Sequence, residues 1–144
     1  MNSLQFTAFG IAQPKGSARA FVPKGWKRPI VTSDNPKNKG WQQLVAESAS
    51  VAISTKRRSF RLIEIQAELE VTFFLPRPKS LKDRMVPHTT KPDLSKLVRS
   101  VEDALTGVVW RDDALVVLII ASKGYAASGD IPRAEIMVRE IAPC

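Results

Sequence analysis

The chain has 144 residues, 44% hydrophobic and 25% charged, with 22 Lys/Arg against 14 Asp/Glu and a formal net charge of +8. That length suits one domain with a modest core, and that balance excludes a disordered chain. No apolar run approaches the roughly 18–20 residues of a membrane helix, no leader-like segment is visible, and the only cysteine, Cys144, excludes an internal disulfide or a cysteine zinc cluster, so a membrane-free life in a reducing cytoplasm is expected.

Taken in chain order, Leu4 to Ala8 alternates apolar and polar residues and predicts a first strand. Gly10 to Thr32 reads as a loop broken by Pro14, Gly16, Pro23, Gly25 and Pro29; it carries Lys15, Arg19, Lys24, Lys27 and Arg28, with Phe21 and Trp26 among them. Asn35-Pro36 suits a helix start, and the following residues put Trp41, Leu44, Val45, Ala49 and Ala52 on one face until about Ser54, before the basic Lys56-Arg57-Arg58. From Glu64 to Leu75 every odd position is apolar, which predicts a strand with one buried and one wet face. The basic stretch from Arg77 to Pro92 has no periodicity and is long enough to be a functional loop.

A second helix opens at Asp93, buries Leu94, Leu97, Val98, Val101 and Leu105, and stops at Gly107. After Val108-Val109-Trp110 and the pair Asp112-Asp113, Leu115 to Ile120 is apolar on both faces and reads as a central strand; Ala134 to Ile141 alternates again and is expected to close the sheet. The order strand, helix, strand, helix, strand, strand predicts one small α/β domain spanning residues 1–144, a mixed sheet with two main helices.

Charge is unevenly spread. Residues 1–61 carry eleven Lys/Arg against two acids, and residues 62–144 eleven against twelve. Such a split suits a protein that holds phosphates with its first part and does chemistry with its second. Phosphodiester hydrolysis needs negative charge offset on both the attacking and the leaving oxygen. Hard divalent ions held by carboxylates from several elements do this. Asp93 and the Asp112-Asp113 pair are the candidates, although an antiparallel helix and strand would leave them at opposite ends of one unit. A neighbouring strand, the loop before Asp93 or a second subunit would then have to complete the site. Competing structural roles exist: Asp93 as a helix cap, Asp112-Asp113 as a polar turn, and Asp103 as the partner of Arg99 four residues earlier. His88 has no companion histidine or nearby cysteine for zinc, the serines lack a His–Asp set, and no phosphate-binding G-x-x-x-x-G-K-[ST] loop occurs, so no nucleotide cofactor is expected.

Three ordered motifs carry a family resemblance: Lys91-Pro-Asp93-Leu-Ser-Lys-Leu97, then Glu102-Asp103-Ala-Leu105-Thr-Gly107, then Trp110-Arg-Asp112-Asp113-Ala114, together with the Pro14-Lys15-Gly16-Ser-Ala-Arg19 loop. The pattern resembles that of the RusA-like Holliday-junction resolvases. The resemblance implies a homodimeric endonuclease that uses Mg²⁺, with Mn²⁺ as a substitute, to cut four-way or branched DNA, in a bacterial or bacteriophage setting. By position it implies metal ligation by Asp93 and Asp113, with Asp112 beside the latter and Asp103 or Glu102 able to complete the set. Arg99 stands where the family has a lysine; it keeps the charge but is a poor acid. Lys15, Arg19, Lys24, Lys91 and Lys96 are the expected DNA contacts. The chain departs from the pattern at Ser95-Lys96, where Asp-Asn is usual. A hydroxyl there replaces a carboxylate, so a catalytically weakened or inactive binder of branched DNA is the alternative expectation.

Overall fold

The computed structural model describes every residue except Ser17, Pro23, Asp34, Arg57, Arg58 and Cys144; for Ala18–Phe21 and Ile30–Ser33 it describes the backbone alone. Eight elements follow one another: β1 (Ser3–Phe9), β2 (Ala18–Phe21), β3 (Ile30–Ser33), α1 (Asn38–Thr55), β4 (Ala67–Leu75), α2 (Leu94–Leu105), β5 (Val116–Tyr125) and β6 (Arg133–Glu140). Short 3-10 turns lie at Lys79–Leu81 and Asp113–Leu115. No described helix is long and apolar enough to cross a membrane.

The main sheet has the order β1-β6-β4-β5. β6 pairs antiparallel with β1 and β4, whereas β4 and β5 are parallel, so the expected mixed sheet with two helices is present. A parallel pair needs a crossover, and α2 supplies it. Alternation in β4 holds from Ala67 on: Ala67, Leu69, Val71, Phe73 and Leu75 are buried and pack with Trp41, Val45 and Ala49 of α1 and Leu97, Val101 and Leu105 of α2, but Ile65, expected on the buried face, precedes the strand and is half-exposed, and Glu68, expected on the wet face, is buried against Arg139. The helices are joined through a buried Ser100–Asn38 hydrogen bond, and Gln42 Nε2 donates to the Ser100 carbonyl at 3.1 Å. Gly10 (φ 150°) passes close to α1, where a Cβ would meet Leu44 Cδ2 at 2.9 Å. Gly107 (φ 85°) turns the chain out of α2, and Val109 and Trp110, fully buried, then anchor the turn to Ile63.

Three further expectations are corrected. The segment from Gly10 to Thr32 is not only loop, because β2 and β3 form a two-stranded antiparallel hairpin of their own. β6 does not close the sheet but lies inside it, between β1 and β4. β5 is not central: it is the sheet's edge, and Val117, Leu118, Ile119 and Ile120 are exposed. Apolarity on both faces marks a strand that wants cover on both faces, without saying which chain provides it.

Candidate active site

The site is built around α2. Asp93 takes the N-cap position (φ −69°, ψ 135°) but its side chain makes no capping hydrogen bond, so the exposed carboxylate is not consumed by the helix terminus. The backbone just before it is fixed from the far end of β5, where Lys123 Nζ donates to the carbonyls of Thr90 (2.7 Å) and Pro92 (2.8 Å). His88 stacks against Tyr125 in the same region, with ring centroids 4.4 Å apart. Burial and the neighbouring Lys123 charge hold the His88 pKa below its ordinary value, so this imidazole is neutral at neutral pH. A cleft of about 350 Å³ opens here, lined among others by Pro14, His88, Lys91, Pro92 and Tyr125.

Asp113 lies by the other half of α2. It opens the 3-10 turn before β5, and its charge bears on Glu102. Glu102 is nine residues after Asp93, about 13–14 Å further along the helix axis. Its carboxyl is held above the ordinary value, first by burial, then by Asp113 and Asp103, with Arg99 opposing the shift. Asp112 uses one carboxylate oxygen to accept from the Ala114 amide at 2.9 Å, which closes the turn. Asp103 pairs with Lys15 (Nζ–Oδ2 2.5 Å) rather than with Arg99. The Lys15 amide also donates to the Lys96 carbonyl at 3.0 Å, so the loop after β1 is strapped along α2.

The fold therefore brings Lys15, Lys96, Arg99, Glu102, Asp103 and Asp113 to one helix, with Asp93 at its start. Lys91, Lys96 and Arg99 are exposed, as phosphate contacts must be. Lys24 and Trp26 are exposed beyond β2, while the Arg19 and Phe21 side chains lie outside the described residues. Sequence reasoning named Glu102 only as an alternative to Asp103 and missed Lys123 altogether. Glu102 had a signal: with Ser95 and Arg99 it is spaced i, i+4, i+7 and so shares the face on which Ser95 stands in place of a carboxylate. Lys123 had none, because its carbonyl partners are about thirty residues away in the chain.

Among the described residues no group of three or more His, Cys, Asp or Glu side chains is gathered closely enough to hold a metal ion. The donor chemistry nonetheless fits a hard divalent cation: the acids are oxygen donors, and Glu102 and Asp113 load one place with negative charge that Arg99 offsets only in part.

The model of the family Endodeoxyribonuclease RusA matches residues 12–139. The chain belongs to the RusA family. The match runs from the loop after β1, through both helices and the acidic motifs, into β6, so the small α/β domain described above is a RusA-like fold and the chain belongs among nucleases. It is also 28% identical over 152 residues to "Uncharacterized protein YqaN" of Bacillus subtilis (strain 168), with 99% of each chain covered.

Proposed function

We propose that this RusA-family protein is a divalent-cation-dependent endonuclease that resolves four-way DNA junctions by paired nicks, acting as a homodimer in the bacterial or phage-infected cytoplasm. The observation that carries the reading is the acidic face of α2 within a chain of net charge +8: Glu102 held above its ordinary pKa by burial and Asp113, a few residues from exposed cations. A charge arrangement of this kind is relieved by a cation and approached by a polyanion.

In this reading Asp113 and Asp112, with Glu102, would hold one Mg²⁺ or Mn²⁺, and Asp93, about 13–14 Å from Glu102 along the helix axis, would join a metal set only with carboxylates of a second subunit. The ion supplies a Lewis acid and lowers the pKa of water. The remaining work belongs to the chain. Lys91 and Lys96 fix the backbone phosphates flanking the cut, and Lys15, Arg19 and Lys24 hold the strand further out. Arg99, always charged, offsets charge that builds on the scissile phosphate, but it donates no proton to the leaving oxygen. Lys15 holds Asp103 away from the metal set and couples the phosphate-binding loop to α2.

A labelled synthetic junction incubated with and without Mg²⁺ tests the activity. Nicking only with the ion, lost in Asp113→Asn while junction binding persists, is the expected result; equal nicking by the variant refutes the site. Ser95 and the absence of a three-carboxylate group among the described residues favour a second reading, a branched-DNA-binding protein without catalysis. Calorimetry decides between them: tight junction binding with no Mg²⁺ or Mn²⁺ uptake supports the second.

A further inference from the structure

The cleft of about 350 Å³ beside Asp93 takes no part in the reading above. Both strands of the parallel pair end in it: Leu75 of β4 is in register with Tyr125 of β5, and both line it. Its walls are stiff. Pro14 comes from the loop after β1, Pro76 and Pro78 from the end of β4, and Pro92 from the residue before Asp93. A proline ring has almost no rotamer freedom to lose when a ligand arrives. His88 and Tyr125, ring centroids 4.4 Å apart, add an aromatic surface. The loop carrying His88 is fastened to the end of β5 at two points. Arg77 donates from Nε to the Ala126 carbonyl (2.8 Å) and from Nη1 to those of Lys82 (3.2 Å) and Arg84 (2.8 Å), and Lys123 holds Thr90 and Pro92. The cleft therefore stands open before any ligand binds. The His88 Nδ1 is buried without a hydrogen-bond partner, and the neutral imidazole meets the cleft as an uncharged ring.

We propose that this cleft receives a single unstacked nucleobase from the DNA strand that Lys91 and Lys96 hold at the start of α2. The inference rests on the branched-DNA reading above and gives it a specificity subsite. Three observations select a base over an apolar protein segment. The volume is near the lower limit of about 300 Å³ for ligand sites, which suits one ring system rather than a stretch of chain. The surroundings are cationic: Lys91 lines the rim, Lys96 is bonded through its carbonyl to the residue after Pro14, and Lys79, Lys82 and Arg84 lie exposed on the same loop. Among the described residues no acid lines the cleft, so a phosphodiester backbone can run past it while one base turns inward. The walls offer rings for a base to stack on, and Gln13 and Thr90 bring an amide and a hydroxyl for its polar edge. Turning a base out is costly in plain duplex and least costly where pairing is already interrupted. Stacking in the cleft returns energy of similar size. The cleft thus gains at a branch point and not along a duplex, and it favours the bases whose edges Gln13 and Thr90 satisfy.

The test reads binding without metal, so it does not depend on nuclease activity. The fluorescent base aminopurine, whose emission reports stacking, is moved one nucleotide at a time through the branch of a synthetic four-way junction in EDTA. Emission is expected to change on binding at one nucleotide, and the change should vanish with His88→Ala and with Tyr125→Leu. That nucleotide is then made abasic. With its base present, each variant should bind the junction roughly 5- to 100-fold more weakly than wild type. On the abasic junction, where nothing enters the cleft, variants and wild type should agree within about twofold. A merely structural role for either side chain would weaken both junctions alike. Should Tyr125→Leu fail to fold by circular dichroism, His88→Ala, in a half-exposed loop position, carries the test alone. Equal losses on the two junctions, or no responding nucleotide while wild type binds tightly, overturn the base site and leave the branched-DNA reading standing; an apolar protein segment then becomes the fitting occupant. Wild-type protein that binds no junction overturns both.

Discussion

At its first turn α2 presents an exposed, uncapped Asp93 whose position is set through the backbone by Lys123, whereas its last turns carry Glu102 and Asp103, half-buried and governed by charges from the β1 loop and the turn before β5. The first end spends its structure on geometry and leaves the carboxylate free. The second spends it on electrostatics, with one acid neutralised by Lys15 and the other left against Asp113. Asp93 is exposed and its side chain makes no capping hydrogen bond, so it is open to a ligand. Half-buried Glu102 is held above its ordinary pKa by burial and by exposed Asp113, against the opposing charge of Arg99, so a cation at that end would relieve it.

The largest effect is expected from removing charge at both ends. Asp93→Asn and Asp113→Asn should each lower single-turnover nicking by more than the roughly 10–100-fold that loss of an outer-sphere partner costs. Junction affinity, set by the cations, should stay within a few-fold. If only one of the two variants is inactive, the ends do not share a site. Lys123→Met probes the scaffold of the first end alone. It leaves two carbonyls without their donor, an expected loss of about 1–3 kcal/mol in denaturant unfolding. Nicking should fall about tenfold as Asp93 loosens, again with binding preserved. Unchanged nicking despite the stability loss would show that Lys123 serves folding only.

Trp26 separates DNA contact from both ends. It is 60% exposed and followed by Lys27 and Arg28, while Trp41 and Trp110 are buried, so a junction that stacks on it should quench the fluorescence that acrylamide quenches in the free protein. Trp26→Ala should remove that change and weaken single-stranded or branched DNA by about 1–3 kcal/mol. No loss of affinity would make the residue a bystander of the basic loop.

Most of the architecture was legible because it is local. The odd-position rhythm of β4 and the Leu97-Val101-Leu105 stripe of α2 each fix a buried face within a dozen residues, and both faces are buried as their spacing demands. What escaped is non-local. Ala18–Phe21 and Ile30–Ser33 are too short, and too surrounded by proline and glycine, to show as strands, yet they pair. Nothing in a sequence orders β6 between β1 and β4. The continuous apolarity of β5 was read as centrality, when it equally describes an edge covered by another molecule. In the site, the acidic motifs were visible and their neighbours were not: Lys15 reaches Asp103 across 88 residues. The Asp103–Arg99 pairing suggested by helical spacing lost to that longer-range partner.

The smallest effect is the most diagnostic of the loaded end. A carboxyl whose pKa is raised in the folded state favours folding below its unfolded pKa, near 4.5, and loses that contribution as pH rises through the folded value. Above that window the ionised Glu102 opposes folding. Glu102→Gln removes the ionisation, so the variant should melt slightly higher than wild type at pH 8 and no higher at pH 4. Its melting difference should also shrink when Mg²⁺ is added, because the ion stabilises the wild-type pair and finds less to bind in the variant. A difference that is the same at both pH values, or untouched by Mg²⁺, would mean that Glu102 and Asp113 do not share a cation, and the acids at the two ends of α2 would then have to be assigned separate roles.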